Sequence, residues 1–111
     1  MVDLQPRSGS EQSGRRPCII VSTDAFNQTR GWRSITVVPL TSSDRWQVAS
    51  PTTVLFAAGE SGLPKKCAAL AHQITTIDRN KLLGGKVGSL SEARLVELKD
   101  ALENYLGLKD R

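Results

Sequence analysis

Short β-branched runs between clusters of turn formers dominate the first two thirds of the chain. Cys18-Ile19-Ile20-Val21-Ser22 predicts a buried strand, and Ser34-Ile35-Thr36-Val37-Val38-Pro39-Leu40 a second. Pro39 falls near the end of that second run, where a missing backbone donor does least harm. Thr41 to Arg45 reads as a turn, Thr52-Thr53-Val54-Leu55-Phe56 as a strand, and Gly59 to Lys66 as a Gly/Pro loop. Cys67 to Ile77 is apolar, small-residued and ends in Thr75-Thr76-Ile77. It reads as one further strand, although Ala and Leu favour helix intrinsically. Two polar stretches, Gln5 to Pro17 and Asp24 to Arg33, interrupt the pattern, the second with room for one helical turn.

The period then changes. Ser89 and Glu92 have capping-box spacing, and Leu95, Leu98, Leu102, Tyr105 and Leu106 follow at helical intervals against Glu97, Asp100 and Glu103. Gly107 is placed to end that helix. Four or five short strands closed by one amphipathic helix make a mainly β protein, a small barrel of SH3 type with a helix packed across it. At 111 residues the chain is one domain.

Composition narrows this picture. With 39% hydrophobic and 23% charged residues the chain buries a core and is not globally disordered. No window reaches the roughly 18–20 apolar residues of a membrane span. Met1-Val2-Asp3-Leu4 carries an acid where a secretion signal carries a basic start, so the expected location is cytoplasmic. The net charge of +4 is spread along both halves, which suits a polyanionic partner but requires the fold to assemble any anion site. Two cysteines, Cys18 and Cys67, with one histidine, His72, do not supply a four-ligand zinc set. The expectation is no metal, no cofactor, and two buried thiols.

The loop before the first buried strand holds candidate chemistry. Gly9-Ser10-Glu11-Gln12-Ser13-Gly14-Arg15-Arg16-Pro17 gathers a carboxylate, an amide and two guanidiniums. Pro17 biases Arg16 toward extended geometry, and a guanidinium held so at a barrel rim can grip a phosphate with two parallel hydrogen bonds. Surface ion pairing of the two arginines is the simpler alternative.

From Asp3-Leu4-Gln5-Pro6, Gly9-Ser10-Glu11-Gln12 and Arg15-Arg16-Pro17 the chain resembles the MazF/PemK toxins. The likeness continues through Asp24-Ala25-Phe26-Asn27, Val37-Val38-Pro39-Leu40-Thr41-Ser42, His72-Gln73-Ile74-Thr75-Thr76-Ile77-Asp78-Arg79 and Val87-Gly88-Ser89-Leu90 to Leu106-Gly107-Leu108. The resemblance implies a CcdB/PemK-like barrel that forms homodimers. It also implies a metal-independent, sequence-specific endoribonuclease acting on single-stranded RNA, messenger RNA above all, and silenced by an antitoxin of MazE type. Attack by the ribose 2′-hydroxyl would leave a 2′,3′-cyclic phosphate and a 5′-hydroxyl. The family's catalytic arginine matches Arg16 and its catalytic threonine Thr41. His72 and Glu11 compete for the role of general base, His72 because imidazole titrates near neutrality and Glu11 because it shares a loop with Arg16. Ser10, Gln12, Asn27, Arg30, Ser42 and Gln73 are candidates for RNA contact. Trp32, between Arg30 and Arg33, offers either a base-stacking surface or a cover for the barrel, and Trp46 is equally open.

Three departures stand out. The sequence begins inside the family's opening strand, either because the start is assigned too far downstream or because most of that strand is missing; Leu70 replaces an arginine found in some members, and Thr75 replaces another. Those departures keep two alternatives in play: a toxin on the same barrel that acts by binding a protein such as gyrase, and an inactive homologue that still binds antitoxin.

Overall fold

The computed structural model describes residues 2–3 and 15–108. Strands β1 (Val2–Asp3) and β2 (Arg15–Arg16) pair antiparallel. The main sheet contains β3 (Cys18–Ile20), β4 (Ser34–Thr41), β5 (Thr53–Phe56), β6 (Cys67–Leu70) and β7 (Thr75–Asp78). Helix α1 (Asp24–Asn27) is a single turn, and α2 (Glu92–Leu106) closes the chain.

Strand β4 organises the sheet. Its residues from Val37 to Thr41 are all buried, as expected of a strand covered on both faces. One edge pairs with β3, Cys18 opposite Pro39; the other pairs first with β7, Ser34 opposite Asp78, and then with β6, Leu40 opposite Ala69. β5 continues the sheet beyond β6.

The segment Cys67 to Ile77 is therefore not one strand. A 3-10 turn, Ala71–Gln73, separates β6 from β7, and the register along β4 jumps by three residues between them, the length of the turn. Those three residues leave the ladder while the chain stays on one edge of β4. The extra residues behave as an enlarged bulge, which re-aims side chains at the point where pairing lapses. Single-strand periodicity carries no mark of such an excursion.

The core sits between the sheet and α2, around Val38, Leu40, Val54, Phe56, Ala69 and Ala71, with Leu98 and Ala101 supplied by the helix. The helix start lies two residues later than the capping-box reading: Ser91, not Ser89, caps it, its hydroxyl accepting the Arg94 N–H at 3.3 Å. Gly107 ends it in the left-handed conformation, as its position implies. The buried strip also differs from the leucine face. Arg94, Leu98 and Ala101 turn toward the sheet, whereas Leu95, Tyr105 and Leu106 stay exposed. Arg94 decides the roll. Its guanidinium forks onto Glu60, at 2.6 and 3.1 Å, and lies 5.5 Å from the centre of the Phe56 ring.

Glu60 and Asp78 each titrate below the usual carboxylate range. The Arg94 guanidinium is the main cause for Glu60, with the Ala57 N–H adding to it. For Asp78 the Asn80 N–H comes first and Arg33 second. A carboxyl that holds its proton less tightly when folded stabilises the fold above the ordinary range, about pH 4, and loses that contribution as pH falls through and below it. Glu60→Gln and Asp78→Asn should therefore flatten the acid side of a denaturation-midpoint profile. A profile as steep as that of the parent chain would show that these groups do not govern acid unfolding.

Candidate active site and nucleic-acid groove

Arg16 and Thr41 are brought together by strand pairing. The Leu40 N–H donates to the Pro17 carbonyl at 3.0 Å, continuing the β3–β4 ladder beyond Cys18 and Pro39. One further step along that register puts Arg16 across β4 from Thr41. Beside them a shallow groove of about 150 Å³ is lined by Arg15, Arg16 and Lys65, with Ser42 and the apolar Leu40 and Leu63 among its walls. Among the described residues three of the lining side chains are cations and none is an acid. Such a surface attracts phosphate.

Thr41 itself does not line this groove, although its neighbours Leu40 and Ser42 do. It is 2% exposed, and its hydroxyl oxygen accepts the Ser43 N–H at 3.2 Å, so its own hydrogen remains for donation. Its backbone is fixed from the other side by Gln47, whose amide nitrogen donates to the carbonyls of Thr41 and Ser43, each at 3.0 Å. That anchor ties the 3-10 turn Asp44–Trp46 to the end of β4. Ser42, next along, is exposed and faces the groove.

The remaining candidates are distributed elsewhere. His72 occupies the 3-10 turn between β6 and β7, its ring 5.1 Å from that of Trp46 and 6.3 Å, edge-on, from Tyr105. It follows Ala68, the residue opposite Thr41, by four positions and does not line the groove. Gln73, in the same turn, is buried. Asn27 and Arg30 lie toward the opposite end of β4. Asn27 exchanges hydrogen bonds with Ser22, and its carbonyl is held by Arg79. Arg30 is exposed, Arg33 pairs with Asp78 at 3.1 Å, and Trp32 tilts against Phe26 at 5.3 Å. Ser10, Glu11 and Gln12 lie outside the described residues. Cys67 is a buried thiol in the groove wall whose proton is held more tightly through burial, and Cys18 is half-buried, its thiol donating to the Arg16 carbonyl at 3.8 Å.

Two participants escaped the sequence reading. Lys65 reaches the groove because the Glu60–Gly62 turn folds its loop back toward Arg16, and Gln47 acts through the backbone of Thr41. The doublet Lys65-Lys66 after Gly62-Leu63-Pro64 was a visible signal for the first; nothing in sequence marks the second.

Residues 1–106 match the family described as PemK-like, MazF-like toxin of type II toxin-antitoxin system. The endoribonuclease MazF9 of Mycobacterium tuberculosis is 41% identical, over 96% of this chain and 91% of its own length. A mycobacterial endoribonuclease solved in complex with its cognate antitoxin superposes with a TM-score of 0.72 at 27% identity, covering 96% of this chain and 88% of that one. MazF from Deinococcus radiodurans shares the fold, with a TM-score of 0.75 at 24% identity over 96% and 89% of the two chains. The match over residues 1–106, together with 41% identity to MazF9 along nearly the whole chain, places the protein in the PemK/MazF family of toxins of type II toxin–antitoxin systems.

Proposed function

We infer that this toxin is an endoribonuclease that cuts single-stranded RNA without a metal ion, with messenger RNA as its cellular substrate. The observation that carries the reading is the register that sets Arg16 across from Thr41, beside a groove whose charged lining residues, among those described, are all cations. The 2′-hydroxyl attacks the adjacent phosphorus, its proton passes to a base, and the 5′-oxygen leaves with a proton supplied by an acid. The products are a 2′,3′-cyclic phosphate and a 5′-hydroxyl. Charge accumulates on the non-bridging oxygens during this displacement, and the Arg16 guanidinium meets it in a fixed orientation. Burial of Thr41 divides the labour: Arg16 engages the phosphate at the open side, and Thr41 donates its hydroxyl hydrogen as the Ser42–Ser43 turn gives way to substrate.

No carboxylate or imidazole lines the groove among the described residues. Glu11 belongs to the segment that enters β2, and His72 lies beyond the 3-10 turn that carries Trp46. Single substitutions separate them: whichever of His72→Ala and Glu11→Gln removes the proton carrier should lower the cleavage rate and reshape the pH–rate profile, and the other should leave both as in the parent. Ser42, exposed in the groove lining, is the described candidate for reading a base beside the cut, whereas Gln73 is buried in the turn between β6 and β7. Asn27 and Arg30, distant within one chain, meet RNA only as it runs along the sheet.

The cationic groove also suits an acidic antitoxin segment that folds on binding and excludes RNA by occupation. The protein works in the cytoplasm as a homodimer, a state that would cover apolar side chains such as Leu95, Val96 and Leu106 left exposed on α2. Incubation with RNA in EDTA, followed by sequencing of 5′-hydroxyl ends, tests the activity. Defined ends adjoining cyclic phosphates are expected. RNA left intact by micromolar protein would return the chain to the class of toxins that act by binding.

A further inference from the structure

We propose that Lys65 is a phosphate-binding residue of the groove and that the Arg94–Glu60 fork is the group that positions it. The inference rests on the RNA-cutting reading and adds a substrate contact that the resemblance does not name. Lys65 lines the groove facing Arg15 and Arg16, is exposed, and has no ion-pair partner among the described residues. Its neighbour Lys66 differs, pointing to Asp44 at 4.0 Å outside the groove lining. An unpaired ammonium on a cationic wall is stabilised by a bound anion, because like charges otherwise oppose one another there.

The loop that carries Lys65 is built to hold it still. Glu60 accepts the Ala57 N–H at 3.0 Å with one carboxylate oxygen while both oxygens engage Arg94 of α2. The Gly59 N–H donates to the Leu63 carbonyl at 2.6 Å, and the Leu63 N–H to the Glu60 carbonyl at 3.1 Å, which closes the loop on itself. Gly62, with φ of +80°, packs its backbone directly on Val87, and Gly88 packs on Ser61; a side chain at either would overlap the opposing backbone. Leu63 enters the core immediately after. Pro64 then stiffens the one step between that anchor and Lys65. A short flexible stem on a rigid base places a point charge without ordering the loop on binding.

The test measures binding, as a function of salt, to a fluorescent single-stranded RNA ten-mer methylated on every 2′-oxygen, a probe that cannot be cut. Each phosphate contact contributes about 0.7 to the slope of log affinity against log salt for single strands. Lys65→Gln should lower the slope by about that amount and weaken binding roughly three- to tenfold at low salt. Lys65→Arg should restore both, and Lys99→Gln, on α2 and outside the groove, should change neither. Arg94→Lys keeps the charge and loses the fork, so it should weaken binding in the parent chain and add nothing in the Lys65→Gln background. An unchanged slope in Lys65→Gln overturns the phosphate contact. Additive effects of Arg94→Lys in both backgrounds overturn the positioning role. Parent protein that fails to cut ordinary RNA yet keeps a Lys65-dependent slope defeats the nuclease reading and leaves the contact standing.

Discussion

Arg16→Ala should abolish RNA cleavage, with a rate loss of about 10²–10³-fold, and leave the thermal midpoint of the protein close to that of the parent. The size follows from the chemistry. A dianionic phosphorane-like transition state forms without a metal to neutralise it, and one preorganised donor there is typically worth about 3–4 kcal/mol. The structural neutrality follows from the backbone. The bond from the Leu40 N–H to the Pro17 carbonyl and the pairing of Cys18 with Pro39 hold this edge of β4 together through main-chain atoms that truncation does not touch. Arg16→Lys supplies the internal control: it keeps the positive charge but loses the two-pronged geometry, so partial activity is expected. Initial rates on an end-labelled RNA, beside melting curves for all three proteins, decide the matter. Cutting by Arg16→Ala at the parent rate would remove Arg16 from the mechanism, and Thr41→Val with full activity would remove its partner.

The groove was only half legible in the chain. Arg16 and Thr41 are twenty-five positions apart, and it is the register of Cys18 opposite Pro39 that makes them neighbours. β-branched runs bounded by turn formers located both strands, so their pairing was within reach of the sequence. The break between β6 and β7 was not. Ala71-His72-Gln73 departs from the ladder for three residues and rejoins it on the same strand, so apolar character continues on either side of the turn. His72 consequently sits among Trp46 and Tyr105, where a continuous strand would have kept it in the β4 ladder. Side-chain anchors such as Gln47 on the Thr41 carbonyl are invisible to periodicity, because they depend on where two loops close in space. The helix illustrates the same limit: leucine spacing announced α2 but not its roll, which an ion pair from outside the helix determines.

That roll has a measurable consequence, because Leu95 and Leu98 are one turn apart and chemically identical. Leu98 is 3% exposed and packs in the cluster of Val54, Phe56 and Ala71, whereas Leu95 is 50% exposed. Leu98→Ala should therefore cost about 2–5 kcal/mol, the sum of lost transfer free energy and the cavity left behind. The upper half of that range is expected here. The side chains opposite include Ala69 and Ala71, which are too short to move into the space, and Arg94 pins the helix so that it does not slide inward. Leu95→Ala, on the side turned from the sheet, should cost less than about 1 kcal/mol in a single folded chain, since little surface leaves water there. Urea denaturation of both variants, at two protein concentrations, checks the pair. Equal losses would show that the leucine face, not the Arg94 strip, meets the core. A Leu95 loss that is largest at high protein concentration and shrinks on dilution would instead place that residue against a second chain, because only an association equilibrium makes a stability difference concentration-dependent.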